Sequence, residues 1–172
     1  MLRHIVLPLA IGLSACTALV PSTVGRLMAL SPLTADPEAI ALRVTLPDGT
    51  GIMPGSAKMI LETTGGIEKS GTFILARQGD VFSVAPNDVD RLRTLQAEIA
   101  AVEATNPNDI SGSLGITAGP CVVGEGPTAD SRLSVGMRLA VDGPFLPLVR
   151  NGPLSAMFDE TDIATWPTCP TP

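Results

Sequence analysis

Three cysteines, one histidine and a few clustered carboxylates carry most of the chemical potential of this chain of 172 residues. The cysteines are Cys16, Cys121 and Cys169, and the histidine is His4. A Ser-His-Asp or Cys-His arrangement needs an imidazole beside its nucleophile, so such routes depend on His4 staying in the mature protein. Neither H-E-x-x-H, G-x-S-x-G nor a P-loop sequence occurs. Lys58 and Lys69 are the sole lysines, and each follows a glycine by three positions, which removes any S-x-x-K dyad. Gly124-Glu125-Gly126-Pro127 lacks the G-x-G-x-x-G spacing, and Pro127 has no amide N–H to offer a phosphate.

Carboxylates remain. Asp159, Glu160 and Asp162 cluster near the carboxyl end, and Asp36 and Glu38 near the amino end. Glycan hydrolysis would need two of them facing one cleft, one with a raised pKa. Sugar clefts also use aromatic platforms, and the chain has four Phe, one Trp and no Tyr. These acids read instead as solvated loop residues. Calcium would need the EF-hand spacing and its central glycine, which Asp159-Glu160-Thr161-Asp162 lacks, and Asp48-Gly49-Thr50-Gly51 reads as a turn. No metal site and no catalytic residue is expected. Arg132, Arg138 and Arg150 fall on or beside the last two strands, with Arg138 out of phase with the apolar face and so directed to solvent. Such arginines either receive an anionic group, a lipid headgroup or a peptidoglycan carboxylate, or deter sheet pairing at an edge.

Composition bounds the partners. With 45% hydrophobic and 16% charged residues the chain suits one globular domain. Eleven basic against 17 acidic residues leave a net charge of −6, which argues against nucleic acid, whose phosphates need a basic face. No apolar run reaches the roughly 18 residues of a spanning helix.

The amino end carries the most specific pattern. Arg3 precedes an apolar or small stretch at 5–13, followed by Leu13-Ser14-Ala15-Cys16. A core of about nine residues rises only about 14 Å as a helix, too short to cross a membrane, and fits a secretory signal. Leu13-Ser14-Ala15-Cys16 resembles the lipobox of bacterial lipoproteins. That resemblance covers the signal and Cys16 only. It implies cleavage before Cys16, removal of His4 with residues 1–15, and a diacylglycerol and acyl chain on Cys16, the sole group in place of a cofactor. It also implies that Thr17, where an Asp would retain the protein in the inner membrane, favours the periplasmic side of the outer membrane. One acyl chain binds marginally and two bind stably.

The elements that must position these groups follow from periodicity. Residues 16–38 read as an acylated tether, interrupted by Pro21, Pro32 and Pro37, with a short helix capped by Ser22-Thr23; residues 39–172 read as one β-rich domain. Alternation predicts strands at 40–46, 57–62, 72–77, 81–85, 110–116, 133–141 and 145–150. Pro47-Asp48-Gly49, Gln78-Gly79-Asp80 and Asp142-Gly143-Pro144 supply turns, and Pro147 suits a sheet edge. One segment has helical period instead: Val89, Leu92, Leu95, Ile99 and Val102 predict an amphipathic helix over 88–104, capped by Asn87 or Asp88 and stopped by Asn106-Pro107-Asn108. The expected fold is mainly β, an antiparallel sandwich or partly open barrel of about seven strands with that helix laid across it.

In an exported chain the remaining even pair, Cys121 and Cys169, reads as a structural disulfide, since no C-x-x-C spacing suggests redox work. The function expected is a lipid-anchored envelope protein that binds or scaffolds an envelope protein or polymer. A carrier of a small apolar ligand or lipid, and a carboxylate-dependent glycan hydrolase, are the alternatives.

Overall fold

The computed structural model of the protein describes residues 33–64, 68–105, 111–128 and 130–170. His4, Cys16, the 17–32 stretch of the tether, Asn106-Pro107-Asn108 and Ile110 lie outside them.

The molecule is mainly β, 41% strand against 20% helix, built on a seven-stranded antiparallel sheet curled into a half-barrel. Each alternating segment becomes a strand: β1 (Ala41–Thr45), β3 (Lys58–Thr64), β4 (Ser70–Gln78), β5 (Val81–Val84), β6 (Ser111–Thr117), β8 (Arg132–Arg138) and β9 (Leu146–Pro153). Their order across the sheet is β6-β3-β4-β5-β1-β8-β9. Two three-residue strands, β2 (Thr50–Ile52) and β7 (Pro120–Val122), form a separate ribbon. Thr50 and Gly51 therefore belong to a strand, and the turn expected over 48–51 is confined to its first half, where Gly49 has φ 77°. The last cleanly alternating strand stops at Arg138 rather than Val141, because Asp142 adopts φ 58° and the chain turns early, leaving Val141 exposed.

The inner face of the curl is apolar because alternate residues point there. Leu42 pairs with Phe82 and Met137, Met59 with Phe73, and Leu61 with Leu114. Helix α1 (Pro86–Glu103) closes this face with Val89, Leu92 and Ile99. Leu92, Ile99, Phe73, Met59, Leu61 and Ile40 are all essentially sealed from water. Such burial contributes about 1.5–3 kcal/mol per large side chain.

α1 starts two residues before the expected position. Ala85 is its N-cap and makes no side-chain cap bond, while Pro86, with no N–H to satisfy, opens the helix. Asp88 has another task. β4 is nine residues long and β5 only four, so β5 pairs with Leu75–Gln78 and leaves the first half of that side of β4 without a strand partner. Asp88 stands in: its buried carboxylate accepts from the Ile74 N–H at 2.6 Å and holds Arg91 at 3.2 Å. Arg91 donates to the Thr72 carbonyl and lies over the Phe73 ring at 4.9 Å. One turn of helix thus replaces the missing strand.

The described end of the tether is docked on this body. Ala35 is part of the core, its carbonyl accepts from Gln96 at 2.9 Å, and Arg93 pairs with Asp36 at 3.3 Å and Glu38 at 3.2 Å. The hydrogen bond that Arg93 donates to Asp36, with Glu38 and Asp90 nearby, raises the Arg93 pKa above its usual value. At the other end, Leu154, Phe158, Ile163 and Trp166 form a second apolar cluster with Leu133 and Val149. Phe158 and Trp166 meet edge to face at 5.1 Å.

Candidate functional site

The outer face of β1, β8 and β9 holds the most chemically distinctive hollow. Leu42 and Val44 face the core, so Arg43 and Thr45 face outward, directly opposite Gly136 and Ser134 of β8. Gly136 leaves room on that face: a Cβ there would stand 3.3 Å from the Cβ of Phe145. The Phe145 ring lies across the gap, with the Arg43 guanidinium 4.1 Å from its centroid and that of Arg138 at 5.2 Å. Cations over an aromatic face are attracted by its quadrupole, by about 0.5–1 kcal/mol at exposed sites. The depression beside this stack measures about 330 Å³, and Val135, Pro147, Val149 and Arg150 line it together with Arg43 and Phe145.

Local irregularity shapes its far wall. The β8–β9 register slips twice, between Leu133 and Val135 and again between Val135 and Gly136. Bulges of this kind re-aim side chains and gather near functional sites. Asn151 takes a left-handed conformation, φ 46°, tolerated by Asn better than by most residues. It is held on both sides, donating its N–H to Ser134 Oγ at 2.9 Å and accepting from Arg132 at 2.9 Å through its carbonyl. Arg150, the residue before it, is exposed, and its side chain has no hydrogen bond or ion pair among the described residues. Arg43 meets Asp80 at 3.5 Å through Nε, with half of its side chain still exposed.

The three arginines singled out from sequence therefore part company. Arg150 lines the hollow. Arg138 lies on the expected outer face but is half-buried, because it stacks on Phe145 and donates to the Ala39 carbonyl at 3.4 Å. Arg132 braces Asn151. Arg43 and Phe145 were not anticipated. Arg43 carries the outward phase of its strand, but nothing in the chain shows that β1 lies beside β8.

The carboxylates have structural work. Asp159 caps helix α2 (Glu160–Ala164), accepting from the Asp162 N–H at 2.7 Å while the Asp162 side chain accepts from the Asp159 N–H at 3.2 Å. Glu160 is exposed, and Asp36 and Glu38 are paired with Arg93. Among the described residues no three of His, Cys, Asp and Glu converge as a metal-ligand group.

Cys121 and Cys169 form a disulfide across 48 residues, with Cα atoms 5.0 Å apart. It fastens the carboxyl tail to β7, where Cys169 N–H donates to Val122 O at 2.9 Å and Val122 N–H to Pro167 O at 2.8 Å. Gly51 makes the bridge possible: a Cβ at that position would stand 2.4 Å from Cys169 Sγ.

No known protein family, curated protein or solved structure matches the chain.

Proposed function

We propose that the chain is a bacterial envelope lipoprotein, held by lipid on Cys16, whose β-rich body works on the periplasmic side of the outer membrane by binding a partner rather than by catalysis. The observation that carries this reading is the register of Leu13-Ser14-Ala15-Cys16 behind a short apolar core. A disulfide between Cys121 and Cys169 fits the oxidising compartment that such a signal serves.

Binding is favoured by where the polar groups sit. An outward hollow sets the unpaired guanidinium of Arg150 and the half-exposed one of Arg43 beside an aromatic ring and apolar walls, the mixture expected of a recognition site. Of the two acids a hydrolase would use, Asp159 is engaged in a capping box with Asp162 and Glu160 is exposed, and this weighs against glycan hydrolysis. The space between sheet and helix is filled by Phe73, Met59, Leu61, Leu92 and Ile99, which weighs against an apolar cargo held there.

Fractionation of cells expressing the native chain and Cys16→Ser tests the anchor. The native protein should pellet with outer membranes and resist salt extraction, and the variant should not. Equal recovery of both in the soluble fraction would refute the proposal. In-cell crosslinking with mass spectrometry then identifies the partner.

A further inference from the structure

We infer that the hollow bounded by Arg43, Phe145 and Arg150 binds the free α-carboxylate of an extended peptide with small apolar side chains, the chemistry a peptidoglycan stem presents. This deepens the binding reading above and rests on it.

Four observations converge. Two guanidinium groups line one depression, and the Arg150 side chain has no hydrogen-bond or ion-pair partner among the described residues, so one cation there lacks a counter-ion while Arg43 meets Asp80 on one side. Arg43 is kept in place by stacking on Phe145 and by Asp80, which meets its Nε at 3.5 Å, and this leaves its terminal N–H groups for a ligand. A planar fork of this kind matches a carboxylate with two parallel N–H···O bonds. The walls between the charges are Val135, Pro147, Val149 and the Phe145 ring, suited to methyl-sized groups, and 330 Å³ lies at the small end of ligand sites. Finally, β9 is the last strand of the sheet, so one wall of the depression is an edge strand, beside which an extended chain can lie.

The walls favour a peptide over a lipid headgroup, since Val135, Pro147 and Val149 offer apolar surface to side-chain methyl groups. The described chain enters at Leu33, which packs on Gly112 of β6, the opposite edge of the sheet. Six strand spacings of about 4.8 Å separate β6 from β9 along the curl. The β9 wall of the hollow therefore belongs to the edge strand opposite the one that Leu33 packs on.

The test uses the full processed chain in a nonionic detergent, titrated with N-acetyl-alanyl-alanine and followed by calorimetry and by amide shifts in a nuclear magnetic resonance spectrum. Saturable binding with shifts at Gly136 and Asn151 is expected. Arg150→Gln should weaken it by about ten- to a hundredfold, with a nearly unchanged melting temperature because the exposed Arg150 side chain has no hydrogen bond or ion pair to lose. Lys58→Gln, which removes one charge from the outer face of β3, should leave affinity within about twofold. The carboxamide of the same dipeptide should not bind. Equal affinity for the carboxamide or for inorganic phosphate, or indifference to Arg150→Gln, would overturn the inference. So would Arg150-dependent binding of phosphatidylglycerol vesicles without binding of the peptide, which would assign the hollow to headgroups. Acylation of Cys16 is read separately by labelled palmitate, so failure of the anchor and failure of the hollow are told apart.

Discussion

Replacing Asp88 by Ala should destabilise the protein far more than its place in the first turn of a helix suggests. A carboxylate that merely complements a helix dipole is worth about 0.3–1 kcal/mol. Asp88 instead holds the Ile74 N–H at 2.6 Å in a buried setting, on the side of β4 that β5 is too short to cover. Its loss leaves that amide without an acceptor, at about 1–3 kcal/mol, and frees Arg91 from its 3.2 Å contact. A net loss of about 2 kcal/mol corresponds to a fall of about 4–8 °C in melting temperature for a domain of this size. Asp88→Asn keeps an acceptor oxygen and should lose about half as much. Asp90→Ala is the internal control, because the Asp90 side chain is almost fully exposed and pairs with Arg93 at 3.2 Å, so its loss should stay below about 1 kcal/mol. Urea unfolding of the oxidised chain measures all three, and hydrogen exchange at Ile74 reports the site directly. If Asp88→Ala and Asp90→Ala cost the same, or if Ile74 exchange is unaltered, the strand-substitute reasoning is wrong.

Three further outcomes follow from the same contacts. Cys121→Ser with Cys169→Ser should lower stability by about 4 kcal/mol from loop entropy alone, since the bridge closes 48 residues; urea unfolding with and without reductant checks it, and a midpoint indifferent to reductant would contradict it. Gly51→Ala should hinder closure of the bridge, because the added methyl would stand 2.4 Å from Cys169 Sγ; thiol alkylation after oxidative refolding should show free cysteine in the variant and none in the native chain. Arg93→Ala should leave global unfolding nearly unchanged while speeding hydrogen exchange at Ala39 and Ile40, because it releases Asp36 and Glu38 at the surface without opening the core.

What the chain discloses in advance is the local part of this architecture. Alternation of apolar side chains marks the seven strands of the main sheet, since one face of each is buried and a slip by one residue would expose it. β2 and β7 carry no such mark. Three residues each, with Gly51 in one and Pro120 in the other, they are strands because they pair with each other across a long stretch of chain, and the disulfide and the tail fasten β7 from its other side. The helix stripe is equally local, and Val89, Leu92 and Ile99 lie where it puts them. Asp88 looks like a cap in the sequence because its true acceptor role depends on the relative lengths of β4 and β5. The hollow is non-local in the same sense. Arg43 and Arg150 are 107 positions apart by number, and they line one depression only because β1 inserts between β5 and β8. Arg138 could be assigned to a face from its phase, but its loss of exposure needed Phe145, which arrives across a turn.

The central claim is that an exported, acylated Cys16 begins the mature chain. The intact mass of the protein purified from its membrane, without reductant and after alkylation, tests it in one spectrum. The account predicts a chain starting at Cys16, heavier by a diacylglyceryl group with or without one further acyl group, and carrying no alkylated thiol. A mass that retains Met1, lacks lipid and shows alkylated Cys121 and Cys169 would contradict it.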